Sequence, residues 1–173
     1  MIKIMYLLCV TSTKPIGCYE LDFKKWNAAK SALTKAGKPA KGITSAYLKP
    51  VLLKVAKDAQ KALGPGPIRF LHDRAPPYRG VAKDNDVQAA FAGGVELAAG
   101  KAPDMSHLDA GVCKVMENAV EKEGAQTPDE IRKVVKKVWK AKITPDYCLK
   151  ISKHIRKNML EVVARKGGNF YKD

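Results

Sequence analysis

The chain is 173 residues long, 46% hydrophobic and 28% charged, which fits a globular domain with a core and excludes a disordered segment. Its 32 basic and 17 acidic side chains leave a net charge of +15, so a polyanion is the default partner. No apolar run approaches the roughly 18 residues of a membrane span. The 4 cysteines form no CxxC pair, which excludes a zinc site or disulfide framework by spacing and leaves reduced, buried thiols.

Residues 3–10 form a near-continuous apolar run and residues 16–21 a second, separated by Thr11-Ser12-Thr13-Lys14-Pro15, which predicts a two-stranded hairpin. The first run follows Lys3 but lacks the small-residue cleavage pattern of a signal peptide, so a buried strand is the better reading. Residues 24–45 are rich in Lys, Ala and Gly. Because Gly37, Pro39 and Gly42 break regular structure, a mobile basic loop with at most a short helix is expected there. After Ser45, the residues Leu48, Val51, Leu52, Val55, Ala59 and Leu63 recur at helical steps, and Gly64-Pro65-Gly66-Pro67 stops the helix.

A short strand over 68–72 then runs directly into Asp73. A helix over 81–91, the pair Gly93-Gly94 and an apolar run at 95–99 follow. Three helices close the chain. The first, at 107–123, carries Val112, Cys113, Met116, Ala119 and Val120 on one stripe. The second opens with the capping box Thr127-Pro128-Asp129-Glu130 and buries Ile131, Val134, Val135, Val138 and Trp139. The third opens with Thr144-Pro145, buries Cys148, Ile151, Ile155, Met159 and Val162, and stops at Gly167-Gly168. This order of elements predicts an α/β fold whose strands pair first antiparallel and then through helical crossovers.

Charge is unevenly placed. Residues 1–66 carry 12 basic and 3 acidic side chains, residues 127–173 carry 13 and 5, and residues 67–126 carry 7 and 9. Basic flanks around a mildly acidic middle suit a protein that grips phosphate with its ends and holds cations centrally. A merely soluble surface gives the same count.

Two acids are candidates for cation chemistry. Asp73 directly follows a strand, where active-site carboxylates of open α/β sheets sit, although an Asp before a Pro-rich turn is also ordinary turn chemistry. Asp109 stands 3, 4 and 7 residues before Val112, Cys113 and Met116, which places it on the inward stripe of its helix. The alternative for Asp109 is a capping box with Ser106.

Three stretches resemble mariner-type transposases. Phe70-Leu71-His72-Asp73-Arg74-Ala75-Pro76 resembles the strand and Asp-Asn-Ala-Pro signature that holds the family's second carboxylate. Ala102-Pro103-Asp104-Met105-Ser106-His107-Leu108-Asp109 resembles the Ser-Pro-Asp-Leu-Asn-Pro-Ile-Glu segment that ends in the third. The helices opening at Thr127 and Thr144, with Arg165-Lys166-Gly167-Gly168, look like the closing helices and Gly-Gly end. The 35 residues between Asp73 and Asp109 are close to the family's spacing.

The resemblance implies a ribonuclease-H-like fold in which three carboxylates hold two divalent ions, Mg²⁺ or Mn²⁺, for DNA cleavage and strand transfer. On that basis Asp73 and Asp109 are the expected metal ligands, meeting at one cation pocket. Arg74 replaces the usual Asn and would compete with a metal, Tyr78 stands where a His is common, and the third acid is Asp rather than Glu.

The family's first carboxylate lies on a strand ahead of the hairpin read here at 3–21. The chain is therefore expected to be a single partial catalytic domain over 1–173 lacking its first strand, holding metal weakly or not at all and inactive alone. Its parts would be the hairpin at 1–22, the basic loop at 23–45, a core with the candidate metal site at 46–126 and helices at 127–173. Expected partners are DNA and, as an option, a second copy of the chain, with no membrane, in the nucleus or elsewhere inside the cell. A non-enzymatic alternative is a helical module that meets nucleic-acid phosphate with Lys133, Lys136, Lys137 and Lys140, opposite the Ile131/Val135/Val138 stripe.

Overall fold

A computed structural model describes residues 4–37, 42–72, 75–97 and 106–166. The elements in chain order are β1 (Met5–Val10), β2 (Pro15–Leu21), α1 (Phe23–Lys35), α2 (Ser45–Leu63), β3 (Arg69–His72), α3 (Pro76–Val81), α4 (Asn85–Ala90) and β4 (Gly94–Leu97). A π-helical turn (Leu108–Val112) then leads into α5 (Cys113–Lys122), followed by α6 (Pro128–Lys142) and α7 (Pro145–Ala164). Among the described residues the strands form two two-stranded sheets, β1 with β2 and β3 with β4.

Packing groups the chain into two compact units, one of Met1–Lys3, Leu8–Cys18 and Lys101–Asp173 and the other of Ile4–Leu7 and Tyr19–Gly100. The hairpin contributes to both. Its reversal is closed by Thr11, whose backbone N–H donates to the Lys14 carbonyl at 2.7 Å while its hydroxyl accepts from the Lys14 N–H at 2.8 Å.

In the second unit, α2 supplies most of the core through Leu48, Leu52, Val55, Ala56 and Ala59. Its cap is Thr44, whose hydroxyl accepts from the Tyr47 N–H, while the Ser45 hydroxyl donates to the Pro77 carbonyl at 2.8 Å. Val81, Val87 and Phe91 fill the core from α3, α4 and the residue after it. Leu63, expected inside, is 41% exposed at the helix end.

The expected loop at 24–45 is instead largely a helix, α1. Asp22 accepts from the N–H groups of Lys24 and Lys25, and the Ala- and Lys-rich stretch that follows has good helix propensity. The breakers that suggested a loop, Gly37, Pro39 and Gly42, all lie beyond its last turn.

The helix expected at 81–91 is two short helices. Pro76 and Pro77 start α3 early, α3 ends with Ala82 at its C-cap, and Asp84 then caps α4 by accepting from the N–H groups of Asp86 and Val87. Lys49 of α2 holds that corner by ion pairs to Asp84 at 2.9 Å and Asp86 at 2.6 Å.

β3 and β4 pair in parallel with Phe70 opposite Val95 and His72 opposite Leu97. The α3–α4 connection is therefore the helical crossover that a parallel pair requires. Gly93 makes the pairing close: its N–H donates to the Ile68 carbonyl at 3.0 Å, and a Cβ there would sit 2.8 Å from the Ile68 carbonyl carbon.

In the first unit, α5 packs on α6 and the π-helical turn packs on α7. Val112, Met116, Val134, Val135, Val138, Ile143, Cys148, Ile151 and Ile155 are buried there. The capping box at α6 is present, with the Thr127 hydroxyl accepting from the Glu130 N–H and the Glu130 carboxylate accepting from the Thr127 N–H. On α7, Met159 is 42% exposed where burial was expected, and Asn158 is buried in its place. Gly167 and Gly168 lie outside the described residues.

We expect Gly93→Ala to lower the free energy of urea unfolding by about 1–3 kcal/mol, the usual cost of forcing a methyl group into filled space. An unchanged unfolding curve would contradict the close β3–β4 approach.

Candidate functional site: two acids and a lysine face

β3 alternates, with Phe70 partly covered and His72 buried while Arg69 and Leu71 face outward. His72 stacks on Tyr78 with ring centroids 4.9 Å apart, and Phe70 meets Phe91 at 5.0 Å. This aromatic group fixes the end of β3 immediately before Asp73. Asp73 and Arg74 themselves lie outside the described residues, as does Asp104.

Asp109 is exposed, not on the inward face that the sequence implied. The reason is the π-helical turn. The Val112 N–H reaches the His107 carbonyl at 3.3 Å and the Cys113 N–H reaches the Leu108 carbonyl, so each step spans five residues rather than four. Counting at 3.6 residues per turn from Met116 back to Asp109 crosses this widened turn and loses phase.

The Asp109 N–H points at the Ser106 hydroxyl from 3.5 Å, and among the described residues its carboxylate has no hydrogen-bond or ion-pair partner. Burial, and after it the charges of Asp109 and Glu117, push the Cys113 thiol up. Carboxylate oxygens left unengaged in this way are hard donors suited to Mg²⁺ or Mn²⁺. A negative charge in the first helical turn is also favoured by the helix dipole, which is the purely structural role open to Asp109. No group of three or more His, Cys, Asp or Glu gathers as a metal cluster among the described residues. Asp22, which could be mistaken for a further ligand, is occupied as the cap of α1.

Lys133, Lys136, Lys137 and Lys140 are all exposed on one face of α6, opposite the buried Val134, Val135 and Val138. One is paired: Lys137 donates to Glu123 at 2.9 Å, and that hydrogen bond holds the Glu123 carboxyl below the usual glutamate range. The other three make no salt bridge among the described residues, although the charge of Lys133 helps, after hydrogen bonds from Thr127 and Gln126, to hold the Glu130 carboxyl below the usual range.

His107 bonds to Ser152 on α7 at 2.7 Å, and partial burial holds its pKa below the ordinary histidine value. His154 sits 3.4 Å from Asn158 one turn along α7. No local motif signals the His107–Ser152 pair, whose members are 45 positions apart.

The chain has the fold of a transposase catalytic domain. Over 96% of its length it matches the crystal structure of the catalytic domain of Mos1 mariner transposase, with a TM-score of 0.70 at 17% identity, spanning 76% of that chain. It also matches the Mos1 transposase paired-end complex with left transposon end, with a TM-score of 0.66 at 16% identity and 44% of that chain covered. The Mos1 mariner paired end complex with Mn gives a TM-score of 0.67 at 17% identity, with 45% of that chain covered. No family model matches the sequence, and no curated protein does. No helix among the described residues is long and apolar enough to cross a membrane.

The depressed Glu123 pKa has a definite sign: its ion pair with Lys137 is intact at neutral pH and is lost as pH falls through the lowered folded value. In carbon-detected NMR titrations we expect Glu123 to titrate below ordinary glutamate, and Lys137→Gln to return it upward. Because the pair is exposed, Glu123→Gln should leave the thermal midpoint unchanged. A Glu123 titration indifferent to Lys137→Gln would contradict the pairing.

Proposed function

We propose that this chain is a mariner-like transposase catalytic domain that acts on DNA, with Asp73 and Asp109 as divalent-cation ligands and the α6 lysines as a phosphate-contacting face. The observation that carries this reading is the fold match along 96% of the chain. It is supported by Asp109, which stands at the end of the segment resembling the family's third carboxylate and whose carboxylate has no hydrogen-bond or ion-pair partner among the described residues.

Bound Mg²⁺ or Mn²⁺ would supply Lewis-acid activation of a water or 3′-hydroxyl for attack on a phosphodiester. The chain's own residues hold and orient. Asp109 offers its carboxylate from a helix start, Asp73 follows β3 directly in the sequence, and Lys133, Lys136 and Lys140 attract the DNA backbone. Arg74 opposes cation binding by charge, which makes weak metal affinity the expectation. The first carboxylate of the family pattern is assigned to no residue of this chain, so strand transfer is not expected of it alone. DNA is the proposed partner, with a second copy of the chain as a further one, in the nucleus or elsewhere inside the cell.

The second reading is a non-enzymatic nucleic-acid-binding module. The exposed α6 lysine face favours it, since such a face needs no metal. Both readings are tested on one protein sample. In fluorescence anisotropy with a labelled duplex, log K should fall linearly with log salt. Replacing Lys133, Lys136 and Lys140 by Gln should reduce the slope by about 3, each phosphate contact contributing roughly 0.9. An unchanged slope would remove the α6 face from either reading. Calorimetric titration with Mn²⁺ separates them: binding weakened by Asp73→Asn and by Asp109→Asn supports the transposase-like site, whereas Mn²⁺ binding indifferent to both leaves only the module.

A further inference from the structure

Two sets of contacts, one at His107 and one at Gly111, fasten one short stretch of chain. His107 Nε2 lies 2.7 Å from Ser152 Oγ, and that oxygen lies 2.7 Å from the Ser12 carbonyl in the hairpin turn and 2.9 Å from the Cys148 carbonyl one turn back in α7. A serine hydroxyl has a single hydrogen. Given to the nearer Ser12 carbonyl, it leaves only lone pairs facing the imidazole, so His107 must donate from Nε2. Ser152 is therefore not an activated nucleophile, because the ring that would have to take its proton already presents one.

Four residues on, Gly111 lies so close to α7 that a Cβ would sit 2.9 Å from both Ile151 Cδ1 and the Tyr147 hydroxyl oxygen. His107 and Gly111 thus both face α7. Asp109, two residues from each, projects from the opposite side of the turn and is exposed. His107, at the cap position, accepts from no backbone N–H of the turn, so its side chain restrains this helix start only through Ser152.

We propose that His107 and Ser152 are positioning residues: the hydrogen-bond chain from the Ser12 carbonyl through Ser152 to the His107 ring pins this helix start to α7 and the hairpin turn, fixing the direction in which Asp109 offers its carboxylate to a divalent cation. The inference rests on the reading of Asp109 as a cation ligand. A carboxylate on a fraying helix end samples many directions that binding must freeze out, and ordering it beforehand removes that cost. Partners hydrogen-bonded directly to a metal ligand typically change affinity by about 10- to 100-fold when removed, and a pin that acts through the backbone two residues away is expected at the low end of that range.

The test measures Mn²⁺ binding to the full chain by electron paramagnetic resonance, with thermal unfolding in parallel, for wild type, Asp109→Asn, Ser152→Ala, Ser152→Thr and His107→Gln. We expect Ser152→Ala to weaken binding by about tenfold, and Ser152→Thr, which keeps the hydroxyl, and His107→Gln, which keeps a donor, to stay within about twofold of wild type. Nitrogen-15 NMR should find the His107 ring hydrogen on Nε2. If Asp109→Asn weakens binding but Ser152→Ala does not, whatever its unfolding midpoint, the positioning role is overturned and Asp109 stands. A ring hydrogen on Nδ1 alone also overturns the positioning role. If Asp109→Asn has no effect, the ligand reading fails and the inference falls with it.

Discussion

The parallel pairing of β3 with β4 depends on a backbone approach that only a residue without a Cβ permits. Gly93 accepts the Ile68 backbone at its side, and the next residues, from Gly94, run beside β3 in fixed register. Because parallel strands need a crossover, the residues between them must form α3 and α4 and pack over α2. Phe70 and His72 then face Tyr78 and Phe91, and the chain leaves β3 at the carboxyl end, directly before Asp73.

The other acid is governed by a different constraint, the widened π-helical turn at Leu108–Val112. A four-residue step throughout would have carried Asp109 toward the side on which Val112 and Met116 are buried. The five-residue step turns it out to solvent, while Gly111 and His107 keep the turn against α7. Burying that carboxylate against Val112 and Met116 without a partner would cost several kcal/mol or force its protonation. The π-turn removes that conflict by turning the carboxylate out to solvent.

How much was legible in the sequence follows from where the information lies. Elements defined by local chemistry were readable: the Thr127 capping box, the Thr144-Pro145 start, the Gly-Pro stop after α2 and the hairpin. Elements defined by distant partners were not. The break between α3 and α4 depends on Lys49 meeting Asp84 and Asp86, and the exposure of Asp109 depends on a turn whose packing partners Tyr147 and Ile151 lie in another helix. α1 differs for another reason: its Asp22 cap is legible in the sequence, but Gly37, Pro39 and Gly42, which argue for a loop, stand only beyond its end at Lys35. The mariner-like fold was legible through three motifs even though 17% identity leaves little else in common with the matched catalytic domain.

The central claim is that Asp73 and Asp109 both ligate divalent cations. Paramagnetic broadening tests it most directly: Mn²⁺ is added in small amounts to isotope-labelled protein and backbone amide signals are followed. The account predicts that the amides of His72 and of Leu108 to Ala110 broaden at the same low Mn²⁺ concentration, and that Asp109→Asn protects the second group. Broadening that spares either group, or that is spread evenly over the surface carboxylates, would contradict it.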